Sequence, residues 1–386
     1  MRNFINDRAK ELQQGMIRAF FDKAKNYTNV INMGIGEPDG GTPQPIIETA
    51  YKAMLEGKTH YTANAGDLEV RQHVAKYAAR YGIDADPVDE MILTIGGMGA
   101  LSLSLLCTVS PEDEVLIQDP QWLNYVSQVR FAGGVPVPVP AHEENRFSIS
   151  AQDIEAKITG KTRLLMLNSP NNPTGAVLSR KELEEIALVA QKHDLLVLTD
   201  EVYCEMLYDG LAHNSIASIS GMKERTIVIN SCSKSFAMTG WRIGFAAGPK
   251  DIIKKMVVLQ ENLVACAPLP AQMAAKYAMD TMCEVDAVKE MYSKRRDLIV
   301  NLLNEIDGIS CLKPSGAFYV FPNIKAFNKS SEYIATQLLE QVQVVTVPGS
   351  AFGQNGEGYL RVAYANSEEN IIEGVKRIKQ CLDNIR

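Results

Sequence analysis

The chain has 386 residues, of which 46% are hydrophobic and 22% are charged, and its formal net charge at pH 7 is −7. This length allows more than one hydrophobic core and makes two domains the natural expectation. Because the net charge is negative and the lysines and arginines are dispersed, the composition argues against binding to nucleic acid or to an anionic membrane, and small molecules are the expected partners.

The cysteines and histidines indicate neither a disulfide framework nor a metal site. The seven cysteines are widely spaced without a Cys-x-x-Cys pair, and the five histidines lack the spacing of metal ligands. We therefore expect reduced thiols, a cytoplasmic location and no bound metal. A nucleophilic role for Cys232 is the weaker interpretation, because no histidine lies nearby in the sequence and buried structural cysteines are common.

The N-terminal segment contains charges and lacks the apolar stretch of a signal peptide. Leu12, Met16, Ile17 and Phe20 recur at helical spacing and predict a helical arm within about the first 30 residues.

Between about residues 41 and 265, short apolar runs alternate with helical patterns, which predicts a mostly parallel sheet with helices on both faces. The predicted strands are 91–95, 115–118, 163–167, 195–199, 226–230 and 242–246. Ser179 and Glu182 form a capping-box pattern that predicts the start of a helix. The alternating Val-Pro segment 135–140 is extended and suits a sheet edge.

Beyond Pro268 and Pro270 a helical pattern continues to about residue 306. The rest of the chain changes character, and the segments 315–321, 343–347 and 359–363 are predicted strands of a smaller α+β unit.

Several predicted strands are followed by loops with polar or aromatic groups, where open α/β sheets bind ligands. Residues 96–101 are rich in glycine and begin a helix, a combination that suits a phosphate. They lack the third glycine of a dinucleotide fingerprint, since Ser102 stands there, and they are not a Walker loop. The same glycines argue against a membrane helix in the uncharged stretch 92–109, which we predict to be a strand, a turn and a buried helix.

Three further loops carry groups suited to an aromatic phosphate ligand. Trp122 could stack on a heteroaromatic ring or pack in an interface, and the residue alone does not decide. The segment 168–175 is filled with turn formers and side-chain amides. Asp200 ends a predicted strand, where a carboxylate requires a cation or caps a helix, and Tyr203 follows three residues later.

Lys234 lies in the loop after the strand predicted at 226–230, between Ser233 and Ser235, with Arg242 eight residues further on. An amine in this place can form a Schiff base, while the hydroxyls and the guanidinium can hold a phosphate. Because the pattern is short, Lys234 alone could equally be a surface lysine in a serine-rich loop. The other loops argue against that interpretation.

Together these loops resemble those of the class I aminotransferases of the aspartate aminotransferase superfamily, which use pyridoxal 5'-phosphate and have fold type I. The similarity covers essentially the whole chain and is strongest at 171–175, 200–203 and 231–244, with weaker matches at 36–39, 61–62, Gly66, 347–350 and 360–361. It implies an α/β fold with a large domain around a mostly parallel sheet and a smaller α+β domain. The expected division is an N-terminal arm with part of the small domain at 1–40, a large cofactor-binding domain at 41–285 and a small C-terminal domain at 286–386.

The resemblance implies a role for each residue. Lys234 would hold the cofactor as a Schiff base and move the substrate proton, and Asp200 would keep the pyridine nitrogen protonated. Asn172 and Tyr203 would bond the ring oxygen O3', and Trp122 would stack on the ring.

The same resemblance implies how the ligands' anionic groups are bound and that the protein is a homodimer. Arg361 would bind the substrate α-carboxylate as a bidentate fork, assisted by the Gly36 backbone and Asn172. The implied phosphate ligands are the amides of Gly97 and Met98, the hydroxyls of Ser231 and Ser233, the guanidinium of Arg242, and Tyr61 from the second subunit.

The implied activity is transfer of an amino group from an L-amino acid to a 2-oxo acid in ping-pong half-reactions. The resemblance implies 2-oxoglutarate as the acceptor, because members of the family commonly use it. Met98 stands where aspartate-selective relatives often carry a basic residue, and Met16 and Ile17 could form an apolar lid. We therefore expect neutral or aromatic substrates to be favoured over dicarboxylic ones. Glu37, Tyr125 and Phe352 are candidates for the substrate pocket without an assigned role.

Several alternatives stay open at this point. An aspartate-specific aminotransferase, or a lyase that catalyses β-elimination on the same fold, would use the same lysine, aspartate and arginine. A regulatory cofactor-binding module would usually add a DNA-binding segment or lose the lysine, and neither is seen. An NAD-dependent enzyme is disfavoured by the incomplete glycine fingerprint.

Overall fold

The computed structural model describes residues 4–5 and 16–385, with the backbone alone for residues 16–19. Helix α1 (Met16–Ala24) and strand β1 (Ile31–Asn32) come first. The predicted helical arm is thus present from residue 16, while Leu12 lies outside the described residues, as do the side chains of Met16 and Ile17.

A seven-stranded sheet forms the centre of the larger part of the protein. Its strands are β2 (Met91–Ile95), β3 (Glu114–Asp119), β4 (Val135–Pro140), β5 (Thr162–Asn168), β6 (Leu196–Asp200), β7 (Thr226–Ser231) and β8 (Ile243–Ala247). Their spatial order is β2-β8-β7-β6-β5-β3-β4, and only β8 runs antiparallel to its neighbours. The prediction of a mostly parallel sheet is confirmed, and the proline-rich β4 is an edge strand, as expected.

Helices cover both faces of this sheet. They are α2 (Gln44–Leu55), α3 (Leu68–Ala79), α4 (Gly96–Thr108), α5 (Asn124–Ala132), α6 (Ala151–Glu155), α7 (Arg180–Lys192), the short α8 (Cys232–Ser235), α9 (Lys250–Val264) and α10 (Leu269–Thr281). Successive side chains of a strand point to opposite faces. Accordingly Leu93 of β2 packs in one core with α2, α3 and α10, whereas its neighbour Ile92 packs in another with α4 and α9.

Local sequence signals determine where two of these helices begin. The Ser179 hydroxyl accepts a hydrogen bond from the Glu182 amide, and the Glu182 carboxylate accepts one from the Ser179 amide, so the predicted capping box begins α7. The uncharged stretch 92–109 divides into β2 and α4, with the glycines in the first turn of α4. Across residues 4–5 and 16–385, the structure contains no helix long and apolar enough to cross a membrane.

A separate hydrophobic core joins the two ends of the chain. It is built from residues of α11 (Val285–Asn304), α12 (Ser331–Val342), α13 (Glu368–Ile385) and the short strands β9 (Tyr319–Val320), β10 (Val344–Val345) and β12 (Leu360–Ala363). The short strand β11 (Val347–Pro348) lies beside β12. Strand β1 pairs in parallel with β10, and β11, β12 and β9 form an antiparallel sheet. Phe20 and Met33 pack in the same cluster as Leu338 and Ile378.

Three predictions for the C-terminal third are wrong in detail. The helical pattern after Pro268 is two helices, because Met282 and Glu284 adopt left-handed backbone conformations, with φ of 50° and 61°, between α10 and α11. Of the strand predicted at 315–321 only β9 forms, since Ala317 has a φ of 59° and interrupts the extended chain. The segment 343–347 contributes to two short strands, β10 and β11, instead of one.

Candidate active site

A cavity of about 510 Å³ lies at the carboxyl ends of β5, β6 and β7. Every residue to which the resemblance assigned a cofactor or substrate contact lines it, except Tyr61. These residues are Gly36, Gly97, Met98, Trp122, Asn172, Asp200, Tyr203, Ser231, Ser233, Lys234, Arg242 and Arg361. The fold therefore brings together loops that follow separate strands, as the sequence predicted.

Lys234 lies in α8, the single helical turn that follows β7, and its side chain projects into the cavity. Its amine donates a hydrogen bond to the carbonyl of Gly36. Burial, and next the positive charge of Arg361, lower the pKa of Lys234 to about 8. A substantial fraction of the amine is therefore neutral near physiological pH, as a nucleophile or a proton carrier requires.

Asp200 is the last residue of β6 and is buried. Its Oδ2 accepts a hydrogen bond of 2.8 Å from the Tyr125 hydroxyl, and its Oδ1 accepts one of 3.2 Å from the Val202 amide. Burial raises the pKa of Asp200 to about 6, and the bond from Tyr125 opposes that effect. A turn and not a helix follows the strand, so the alternative role as a helix cap is excluded.

Two residues beside Asp200 present polar atoms to the same space. The hydroxyls of Tyr203 and Tyr319 are hydrogen-bonded to each other over 2.8 Å. Asn172 is fixed through its backbone, whose amide donates to Oδ1 of Asn168, and its own Oδ1 accepts from Arg361 over 3.1 Å. These contacts hold a phenol and an amide in place to bond an oxygen of a ligand.

The start of α4 and the turns around α8 form a set of anion-binding groups. Gly97 and Met98 belong to the first turn of α4, whose free backbone amides favour an anion. The hydroxyl-bearing Ser231 and Ser233 and the guanidinium of Arg242 line the same part of the cavity. Backbone amides, hydroxyls and a guanidinium are the donors expected for a phosphate dianion.

Two glycines permit this arrangement. Gly96 has a φ of 66°, and a β-carbon added there would lie 2.6 Å from Nη2 of Arg242. A β-carbon at Gly244 would lie 2.8 Å from backbone atoms of Gly96 and Gly97. The space between Arg242 and the start of α4 is thus open only because neither position carries a side chain.

Arg361 is a buried cation with unfilled hydrogen-bonding capacity. Its Nη1 donates to Asn172, its Nη2 donates to the carbonyl of Gly34 over 2.6 Å, and its Nε has no partner. The guanidinium lies between the rings of Tyr319 and Phe352, with centroids at 4.6 and 5.0 Å. Within the described residues it forms no ion pair with an acid, and a buried cation of this kind calls for an anionic ligand.

The donor set fits pyridoxal 5'-phosphate. The phosphate donors lie at the glycine-rich turn, Asp200 offers a carboxylate to a ring nitrogen, and Lys234 offers an amine to an aldehyde. Trp122 lines the cavity and packs edge-to-face on Tyr125, with ring centroids 5.3 Å apart, which leaves it available to cover a ring.

Other predicted residues have different outcomes. Tyr61 is 86% exposed and lines a separate surface groove with Cys266 and Leu269, so this single chain does not bring it to the cavity. Cys232 is fully buried and burial raises the pKa of its thiol to about 12, which fits the structural interpretation. Glu37 and Tyr125 line the cavity, whereas Phe352 supports Arg361 through its ring.

Several residues of the cavity wall were not singled out by the sequence analysis. Tyr319 lies in a segment that we predicted to be a strand; its ring is buried, and its hydroxyl faces the cavity. Asn168 belongs to the amide-rich loop that was identified, without being singled out. The remaining unpredicted wall residues are Phe21, Ile35, Val202 and Thr239.

Comparison with known proteins gives a consistent result. The family model for aminotransferases of class I and II matches residues 28–378. The chain is 45% identical to an aromatic-amino-acid aminotransferase 2 of Thermococcus litoralis and 44% identical to an aspartate aminotransferase of Pyrococcus abyssi, over 98% of each chain in both cases. An aromatic aminotransferase structure from Pyrococcus horikoshii has a TM-score of 0.90 at 42% identity, over 95% of this chain and 99% of that one. A Thermus thermophilus aspartate aminotransferase structure with maleate has a TM-score of 0.94 at 35% identity, over 99% and 100%.

Proposed function

The chain belongs to the family of class I and II aminotransferases, with their fold type I architecture, and we propose that its cavity binds pyridoxal 5'-phosphate on Lys234 and exchanges amino groups between amino acids and 2-oxo acids. The observation that carries this proposal is the convergence in one cavity of a buried amine, a buried carboxylate and a set of phosphate donors. The family is generally dependent on this cofactor.

Lys234 and Asp200 are the proposed catalytic residues. When bound, the pyridoxal group supplies a ring that can accept the electron pair of the Cα–H bond of the substrate. Asp200, with a pKa of about 6, is ionised at neutral pH and would hold a proton on the ring nitrogen. Lys234, with a pKa of about 8, would take the proton from Cα and return it, because its two protonation states are close in free energy near neutral pH.

The other wall residues would position the two ligands. Gly97, Met98, Ser231, Ser233 and Arg242 are proposed to hold the phosphate. In the same scheme Asn172 and Tyr203 would bond the ring oxygen, and Trp122 would cover the ring face.

Arg361 is proposed to bind the α-carboxylate of the substrate. Two observations support this role: the Nε of Arg361 has no hydrogen-bond partner, and no acid among the described residues pairs with the guanidinium. A substrate carboxylate would accept a hydrogen bond from Nε and would balance the positive charge. The backbone of Gly36, which already accepts a bond from Lys234, lies where it could assist. Holding the carboxylate at Arg361 would orient Cα towards the amine of Lys234.

We further propose neutral or aromatic amino acids as the favoured donors and 2-oxoglutarate as the acceptor. The side chain at position 98 lines the cavity and is uncharged. The relatives include both aromatic-amino-acid and aspartate aminotransferases, so the family alone does not select a donor. We also propose that Met16 and Ile17 form an apolar lid over the substrate. Their side chains lie outside the described residues, so this lid stays a prediction.

The proposed assembly is a homodimer in which Tyr61 reaches the phosphate of the second subunit. Tyr61 is exposed, and other large apolar side chains are exposed on α2 and at the end of α9: Ile47, Tyr51, Leu55, Leu263 and Val264. The groove beside Tyr61 is lined by residues 266–270, which follow α9, and a second copy would cover this apolar surface. The proposed division of the chain is 1–40, 41–285 and 286–386, and the hydrophobic cluster shared by residues from both ends of the chain supports it.

The test is an absorbance spectrum of the purified protein before and after addition of single amino acids without a 2-oxo acid. We expect a visible cofactor band that is converted to the amino form of the cofactor, fastest with aromatic or neutral donors. A Lys234→Ala protein should lack the band of the lysine-bound cofactor and turn over no substrate. A persistent band with accumulation of pyruvate would indicate a lyase, and the absence of any band would refute the cofactor proposal.

A further inference from the structure

Asp119 is a buried acid to which the proposed function gives no role. It is the last residue of β3, is 3% exposed and forms no ion pair with a lysine or arginine of the described chain. Its Oδ2 accepts a hydrogen bond of 3.0 Å from the side-chain amide of Asn355 and a long one of 3.4 Å from the backbone amide of the same residue. Its Oδ1 has no hydrogen-bond partner among the described residues. Burial of a carboxylate with an unbonded oxygen opposes folding, so stability does not explain the presence of this acid.

The unbonded oxygen lies against the backbone of a loop from the C-terminal part of the chain. This Phe352 loop comprises residues 349–356, two short helical turns that follow β11. A β-carbon added to Gly353 would overlap Oδ1 of Asp119, and the φ of Gly353 is 124°, a conformation that glycine adopts most readily. The carboxyl group of Asp119 therefore contacts the Phe352 loop at two places, Gly353 and Asn355.

A backbone hydrogen bond adds a third contact to the same loop. The amide of Gln121 donates to the carbonyl of Phe352 over 2.8 Å. Asp119 and Gln121 belong to the Trp122 loop, residues 119–122, which ends at the residue proposed to cover the cofactor ring. The Trp122 loop is thus joined to the Phe352 loop on both sides of Gly353.

The Phe352 loop in turn supports the guanidinium of Arg361. The Phe352 ring is fully buried, and its centroid lies 5.0 Å from the guanidinium carbon. Pro348, which pairs with Leu360 of β12, is the residue immediately before the loop. The loop and the arginine are therefore neighbours through both backbone and side chain, and a shift of the loop would move the surface on which the planar fork rests.

We propose that Asp119 is a positioning residue for the substrate carboxylate, because it holds the Phe352 loop against the Trp122 loop and so fixes the ring on which Arg361 rests. This inference rests on the proposed function, in which Arg361 binds the α-carboxylate. Asp119 does not line the cavity, so it acts through Phe352 and not by contact with a ligand. Lys234 lies on another loop and keeps its place when Asp119 is replaced.

The kinetic experiment follows the half-reaction of the cofactor-loaded enzyme with phenylalanine and no acceptor. In Asp119→Ala the half-saturating concentration should rise about tenfold, the effect of one hydrogen bond to a charged group, while the limiting rate stays nearly unchanged. The reaction with 2-phenylethylamine, which lacks the carboxylate, should be the same as in wild type. Asp113→Ala is the matched control, because it removes a carboxylate that accepts a 2.8 Å bond from the Ser110 amide near the opposite end of β3.

Two milder variants separate the hydrogen bond from the charge. Asp119→Asn keeps an acceptor for Asn355 and should restore the wild-type half-saturating concentration. Asn355→Ala removes the donor from the half-buried side and should reproduce part of the effect of Asp119→Ala. If Asp119→Asn is impaired as much as Asp119→Ala, the acid acts through its charge and the positioning role is overturned.

Binding of 3-phenylpropionate to the cofactor-loaded enzyme, measured by titration calorimetry, gives a readout that is independent of turnover. Its affinity should fall about tenfold in Asp119→Ala, whereas the dissociation constant for pyridoxal 5'-phosphate should not change. In a Phe352→Leu background the replacement of Asp119 should have little further effect, because both changes break the same connection to Arg361.

The possible failures can be told apart. Unchanged affinity for 3-phenylpropionate, or an equal loss of cofactor affinity, would overturn the role of Asp119 while leaving the proposed function intact, provided that phenylalanine still converts the cofactor band. Failure of every amino acid to convert the band of the wild-type protein would overturn the proposed function and this inference with it.

Discussion

The Tyr125 hydroxyl lies 2.8 Å from Oδ2 of Asp200 and donates a hydrogen bond to it in the cavity wall. Both side chains are buried, and burial would otherwise keep the carboxyl protonated close to neutral pH. Because the bond stabilises the ionised form, Tyr125 lowers the pKa of Asp200, and it would position the carboxylate that we propose to face the ring nitrogen.

Replacement of Tyr125 by phenylalanine should therefore raise the pKa of Asp200 above about 6. Since the ionised carboxylate is the active form, the acid limb of the pH–rate profile of the half-reaction should move to higher pH, by about one pH unit for one charged hydrogen bond. Tyr208→Phe removes a buried hydroxyl that does not line the cavity and should leave the limb in place. An unmoved limb in Tyr125→Phe would contradict the assignment.

Replacement of Asp200 by asparagine should abolish turnover yet change stability in a pH-dependent way. The pKa of Asp200 is about 6 in the folded protein and about 4 in the unfolded chain, so between these values the folded state binds more protons. The contribution of this carboxyl to stability is therefore most favourable below about pH 4 and is lost as pH rises through 6.

Urea unfolding of the cofactor-free proteins at pH 4 and pH 7 tests this. The stability of Asp200→Asn relative to wild type should increase by roughly 3 kcal/mol between these two pH values. Effects of the substitution that do not depend on pH cancel in the comparison. A difference that stays constant with pH would show that burial does not raise the pKa of Asp200.

Gly96→Ala should weaken cofactor binding at least tenfold. The new methyl group would lie 2.6 Å from Nη2 of Arg242 and would occupy a backbone position with a φ of 66°. Gly99→Ala is the matched control in the same helix, because a β-carbon there meets its nearest neighbours at 3.6 Å, an ordinary contact. Equal dissociation constants for pyridoxal 5'-phosphate in the two variants would argue against Arg242 as a phosphate ligand.

Arg361→Lys should lower kcat/KM for phenylalanine by roughly a hundredfold, because the planar fork is replaced by a single point charge. The effect should depend on the α-carboxylate. For 2-phenylethylamine, which lacks that carboxylate, the slow reaction of wild type and variant should be about equal. If both substrates lose activity to the same extent, Arg361 supports the fold and does not bind the carboxylate.

Mixed dimers test the position of Tyr61. Tyr61→Ala should weaken cofactor binding, and Lys234→Ala should be inactive. After unfolding and refolding of the two variants together, some dimers contain one site with both native residues, so activity with high cofactor affinity should reappear. If Tyr61 acts within its own subunit, no such site can form and mixing will restore nothing.

The residues that sequence reasoning placed correctly are those whose role depends on local context. Asp200, Ser231 and Lys234 each follow a predicted strand, and parallel strands bring their carboxyl ends to one edge. The capping box at Ser179 and the edge strand β4 are local in the same sense. Such features could be predicted because neighbouring residues determine them.

The features that escaped prediction depend on distant contacts. Tyr319 looks like an ordinary strand aromatic in the sequence, and only the pairing of β9 with β12 brings it to Arg361. The break between α10 and α11 occurs at Met282 and Glu284, which have left-handed backbone conformations. Methionine and glutamate seldom adopt this conformation, so the sequence does not predict the break. Tyr61 was assigned to the phosphate of a second subunit only through the family resemblance, and that assignment stays a prediction.

The pairing of β1 with β10, in which Ile31 lies opposite Val344, has a consequence for synthesis of the protein. A chain that has emerged from the ribosome as far as α9 carries Lys234 and the proposed phosphate ligands but lacks Arg361, and the segment holding Gly34 has no partner strand. With the proposed roles, the residues for the cofactor are therefore synthesised before the residue for the substrate carboxylate.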